Sequence, residues 1–106
     1  MLVISRFRYP ADRSERARAD LGGCLDRFAE RAGFIAGSVG RAADDPSLWV
    51  LETRWEHVGA YRRALSAYDV KLGAVPLLSR ALDEPSAFEV VEPETVLNIE
   101  STRSLG

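Results

Sequence analysis

Residues 47–55 read SLWVLETRW, and the two faces of this stretch constrain the fold more than any other feature of the chain. Side chains alternate between faces along a strand. Trp49, Leu51, Thr53 and Trp55 then share one side, and Leu48, Val50, Glu52 and Arg54 share the other. Both sides carry bulky apolar groups, so protein must cover both. Yet the chain has only 106 residues. That is one domain with a modest core, burying roughly 60–68% of its unfolded surface.

Leu2, Ile4 and Arg6 likewise fall on one face of an N-terminal strand, with Val3, Ser5 and Phe7 on the other, and Pro10 ends it. Between residues 11 and 33, Ala17, Leu21, Cys24, Leu25, Phe28 and Ala32 recur at intervals of three and four, the period of an amphipathic helix. Asp12 with Glu15 resembles a capping box, and Gly33 suits the stop. Gly22 and Gly23 weaken that helix by about 1 kcal/mol each relative to alanine, which close approach to a sheet or room for a ligand would explain.

Residues 34–55 read as two strands joined at Asp44–Ser47 (DDPS), with Pro at a favoured turn position. The first strand holds Ala36, Gly37, Ser38 and Gly40, so a neighbour packs closely there or a cavity opens. Residues 57–68 form a second helix with Val58, Tyr61, Leu65 and Tyr68 inward. Asp69 can cap a short helix that Pro76 kinks or breaks. Residues 86–92 (SAFEVVE) give the last strand, and 93–106 are a tail in which TVLNI could add a short strand. The order is β-α-β-β-α-β, a ferredoxin-like α+β domain over residues 1–92 with an antiparallel sheet and both helices on one face. The other face would be bare, and a homodimer through that open sheet face is the economical cover.

Fourteen basic residues against sixteen acidic ones, scattered along the chain, give no electrostatic reason to bind nucleic acid. One cysteine and one histidine exclude an internal disulfide and make a Cys/His zinc site implausible. No apolar run suits a signal peptide or a bilayer span, so the expected setting is cytoplasmic, without membrane partners. Neither a Gly-rich phosphate loop nor a nucleophile elbow occurs.

Residues 34–91, with Gly33-Phe34 before the second strand, the hairpin closing on Thr53–Trp55, the helix just after it, Tyr68-Asp69 and the closing FEVV, resemble an antibiotic biosynthesis monooxygenase domain of the actinobacterial type. The resemblance covers about residues 2–92 and implies a dimeric α/β barrel. It also implies oxygenation without metal or flavin, because a deprotonated phenol or anthrone can itself give an electron to dioxygen. The protein would supply a base, stabilise an anion and exclude water. The superfamily's haem-degrading branch uses a helix histidine and a strand asparagine; here residues 69–78 hold no histidine, and Ser5 and Arg6 stand in the strand. No cofactor is expected.

The substrate implied is a small planar aromatic compound, held between helices and sheet. Trp55, Tyr61, Ser5 and Phe28 are the candidate substrate-binding residues, although each also reads as core. His57, Tyr68 and Arg6 are the candidate catalytic residues. Histidine is the side chain that titrates near neutral pH, and an arginine in mid-strand either pairs with a carboxylate (Glu52 or Glu89) or stabilises a phenolate. Lys71, Arg62 and Arg63 read as solvated helix faces. A dimeric binding or accessory module without chemistry is the alternative function.

Overall fold

In a computed structural model, which describes residues 1–97, the expected order is realised. Strand β1 (Leu2–Arg8) leads through a single 3₁₀ turn (Ala11–Arg13) into helix α1 (Ser14–Ala29). Strands β2 (Phe34–Ala42) and β3 (Asp45–Trp55) follow as a hairpin. Three short helices, α2 (Val58–Ser66), α3 (Tyr68–Gly73) and α4 (Val75–Leu78), precede β4 (Ala87–Phe88). All pairings are antiparallel and the sheet order is β2-β3-β1-β4, so β3 and β1 are central. This is the ferredoxin-like arrangement.

The helices cover one of the two strand faces. Val3, Ser5, Phe7 and Tyr9 of β1 and its extension meet Trp49, Leu51, Thr53 and Trp55 of β3, and all are buried. Helix α1 packs Ala17, Leu21, Cys24 and Phe28 onto them. The small residues of β2 admit a close neighbour: a Cβ on Gly37 would collide with the Leu25 side chain of α1. The opposite face presents half-exposed Leu2, Ile4, Leu48 and Val50, with Phe88 at its edge.

Several local expectations are corrected. The hairpin turns at Ala43-Asp44, not over residues 44–47, because Ala42 already pairs with Asp45. The Asp45 carboxylate accepts from the Ser47 amide (3.0 Å) and hydroxyl (2.7 Å) and from Arg8 (2.7 Å), which ties these residues into the start of β3. The capping box at Asp12 and Glu15 does not form, since the 3₁₀ turn delays the helix until Ser14. Asp69 makes no cap either; it faces Arg31 at 3.6 Å. Ala32 lies beyond α1 and is exposed. The buried stripe of α2 is Ala60 and Ala64, flanked by Tyr61 and Leu65, while Val58 and Tyr68 face outward. Pro76 does break the helix, separating α3 from α4. The last strand is two residues, not seven. Residues 82–86 instead follow the β1 edge through Leu82 N–H to Arg6 O (2.7 Å) and Ile4 N–H to Ser86 O (2.7 Å). Thr95–Leu97 form no strand, and the remainder of the expected tail strand lies outside the described residues.

Two glycines predict opposite outcomes. Gly33 has φ +88°, and a Cβ there would strike Ala60; a Cβ on Gly22 meets nothing within 4 Å. Gly33→Ala should therefore destabilise by about 1–3 kcal/mol, while Gly22→Ala stabilises by up to ~1 kcal/mol. Thermal melts of the two variants check both signs.

Candidate functional site

The question posed by Trp55 is answered by its neighbours. Its ring meets Phe28 at 5.6 Å and Phe34 at 5.4 Å, both edge to face, and Tyr61 at 5.5 Å. Its Nε1–H donates to Thr53 Oγ1 at 2.9 Å, so the one polar atom of a fully buried indole is satisfied. These rings join β2, β3, α1 and α2 in the layer between helices and sheet. Neither Trp55 nor Phe28 lines any of the main clefts, so the pocket expected in that layer is occupied by side chains.

The candidate residues divide among four places. Trp55, Phe28, Tyr61 and Ser5 belong to the inner layer. Arg6 points from the opposite sheet face, where its partner is Glu84 at 3.8 Å rather than Glu52 or Glu89. It cannot serve the same enclosed space as Ser5, because adjacent strand residues face opposite ways. His57 caps α2: its Nδ1 accepts from the Ala60 amide at 3.2 Å, and the residue is exposed. Tyr68 is 77% exposed at the start of α3, away from the ring cluster. The set therefore forms no single catalytic constellation in the described residues.

One member of the cluster does reach open space. Tyr61 lines a groove of about 490 Å³ between α2 and the α3–α4 segment, together with Leu65, Val75, Leu78, Ser79 and Lys71. The volume is within the range of small-molecule sites. Its wall is chiefly aliphatic, with Tyr61, Lys71 and Ser79 as its polar residues. Burial, helped by Cys24, raises the Tyr61 pKa, so the phenol stays protonated and available as a hydrogen-bond donor. Lys71, a surface charge by sequence pattern, is the functional candidate that periodicity did not single out. No sequence signal marks it, because its place in the groove depends on α2 standing opposite. Among the described residues no three His, Cys, Asp or Glu side chains converge as a metal site would require. Among the described residues no helix is long and apolar enough to cross a membrane.

No protein-family model matches the chain, and no curated protein does. Solved structures do. A candidate antibiotic biosynthesis monooxygenase of Deinococcus radiodurans superposes with TM-score 0.69 at 16% identity, covering 92% of this chain and 100% of that one. SnoaB, a cofactor-independent oxygenase from Streptomyces nogalater, gives 0.66 at 22% identity, covering 88% and 94%. Rv0793 from Mycobacterium tuberculosis gives 0.66 at 18% identity, covering 89% and 97%. The chain thus has the ferredoxin-like fold of the antibiotic biosynthesis monooxygenases.

Three buried acids, Cys24, Tyr9 and Tyr61, set the alkaline limit of this core. Burial pushes the Cys24 thiol from 9.0 up to about 11, and burial, with the bond to Asp20, pushes the Tyr9 phenol from 10.0 up to about 12. The unfolded chain loses these protons first, so stability is intact below pH 9 and falls as pH rises from 9 to 12. Urea midpoints measured from pH 8 to 11 should decline, and Cys24→Ala should remove the earliest part of that decline.

Proposed function

We propose that the protein is a cofactor-independent monooxygenase of the actinobacterial type, acting on a planar phenolic or polycyclic aromatic compound in the Tyr61 groove. The observation that carries this reading is an apolar groove of about 490 Å³ that begins at the aromatic core and contains one cation, Lys71. The fold it shares with SnoaB supports the reading. Leu65, Val75 and Leu78 would bury the rings of the substrate. Lys71 would pair with the phenolate or enolate, lowering the pKa of the bound substrate. Tyr61 would orient the anion by a hydrogen bond. His57 and Tyr68 stand at the surface and Arg6 on the far sheet face, so Lys71 replaces them as the group that manages charge. The bound carbanion gives its electrons to dioxygen, and an anthrone-type CH₂ with O₂ becomes a carbonyl and water without another reductant.

Oxygen uptake on anthrone and hydroquinone substrates should exceed the uncatalysed rate. Lys71→Gln should lower kcat/KM by roughly tenfold or more, corresponding to about 1.4 kcal/mol. Uptake equal to the enzyme-free rate across the panel rejects the oxygenase. The second reading, a binding module without chemistry, is favoured by the absence of a carboxylate or imidazole from that groove. In that case a ligand raises the melting temperature, is recovered unchanged, and Lys71→Gln weakens its binding.

We further infer that two copies pair through the open sheet face, where Leu2, Ile4, Leu48 and Val50 present apolar surface that the described residues leave half exposed. Their burial against a second sheet is the hydrophobic gain that drives pairing. Light scattering should give a dimer at micromolar concentration, and Val50→Glu, which leaves a buried charge unpaired, should give a monomer. A monomeric wild type rejects the pairing.

A further inference from the structure

A second groove lies on the other side of α4. Arg16, Asp20, Gly23 and Arg27 follow one another at intervals of four, three and four along α1, so they form a single stripe. Gly73, Leu77 and Arg80 face that stripe across a groove of about 370 Å³. An adjoining cleft of about 310 Å³ shares Arg16, Asp20 and Arg80 and adds Arg13 and Tyr9. Four arginines and one carboxylate therefore line the two adjoining clefts, in a chain whose formal net charge is −2.

The single carboxylate is already engaged. Asp20 accepts from Arg16 Nε at 3.1 and 3.2 Å and from the Tyr9 hydroxyl at 3.0 Å. Arg27 and Arg80 have no carboxylate within 4.0 Å among the described residues. Both are nonetheless held in position. Arg80 lies over the Tyr9 ring at 5.9 Å, and Arg27 sits against Gly73, where any Cβ would overlap its guanidinium. The Arg27 Nη1–H also donates to Gly23 O at 3.4 Å. The α1 glycines lack the packing reason that the sequence suggested. A Cβ at Gly22 meets nothing, and one at Gly23 meets only Arg27 Nη1, at 3.8 Å. Gly23 thus keeps the helix wall low beside the Arg27 guanidinium, at a helix position where alanine would be more stable by about 1 kcal/mol.

We propose that this groove binds a phosphate-bearing small molecule, with its phosphoryl oxygens between Arg16, Arg27 and Arg80 and its organic part against Leu77 and Pro76. Guanidinium forks match phosphate oxygens in bidentate geometry. A phosphate ester or diphosphate carries enough charge to satisfy two facing guanidiniums, whereas a carboxylate neutralises one. The groove walls concentrate the field of these charges. The site is separate from the Tyr61 groove and does not rest on the oxygenase reading.

The test is calorimetric titration of the intact protein with pyrophosphate at fixed ionic strength, with amide chemical shifts followed in parallel. Saturable binding is expected, with shifts at Gly23 and Gly73. Arg80→Gln and Arg27→Gln should each raise Kd at least tenfold, while Arg62→Gln/Arg63→Gln on α2 should bind as wild type does. Arg80→Gln keeps the test decisive if loss of the Arg27–Gly73 contact unfolds the other variant. Absence of binding, an unchanged Kd in folded Arg80→Gln, an equal loss in the α2 control, or tighter binding of citrate than of pyrophosphate would each overturn the assignment.

Discussion

The structure depends on how a four-stranded sheet with one helical layer fills the space around Trp55. This indole is fully buried and touches Phe28, Phe34 and Tyr61, which come from α1, β2 and α2. The edge-to-face contact of Phe28 seats α1 against the sheet, and the tilted ring of Tyr61 seats α2. Thr53 satisfies the indole N–H from the same strand face, so the cluster contains no stranded donor at its centre. Met1 reinforces the position from outside: its amino group donates to Trp55 O, and Met1 O accepts from Trp55 N–H, both at 2.9 Å.

A filled interior moves the open volume to the helix seams. Pro76 lacks the N–H needed to continue α3, and the chain restarts as α4 after Ala74. The short α3–α4 segment then has a neighbour on each side. Toward α2 it presents Val75, Leu78 and Lys71, and toward α1 it presents Gly73, Leu77 and Arg80. One broken helix thus borders an apolar groove and a basic one. Their chemistries differ because α2 contributes Tyr61 and Leu65, whereas α1 contributes an arginine stripe.

Much of the fold was legible because periodicity reports burial directly. The buried Ala17, Leu21, Cys24 and Phe28 of α1, the alternation of side chains along β1 and β3 and the break at Pro76 are where their spacing placed them. The second helix misled because its buried positions are alanines, which carry little hydrophobic signal beside Val58 and Tyr68. The candidate site was less legible for a related reason. Aromatic residues near a lone histidine suggest a pocket equally well whether their rings enclose space or fill it. Lys71 and Arg80 carried no pattern of their own, since a charge becomes part of a site only through what stands opposite it.

The sequence by itself determined the β-α-β-β-α-β order, the single helical layer and the apolar character of both sheet faces, because alternation and helical period are local properties of the chain. Only the tertiary structure decided that Trp55 is core, that His57 is a helix cap, that Arg6 pairs with Glu84, and that Arg16, Arg27 and Arg80 share a groove. Those outcomes depend on which elements meet and how closely. That is fixed by packing between residues far apart in the chain.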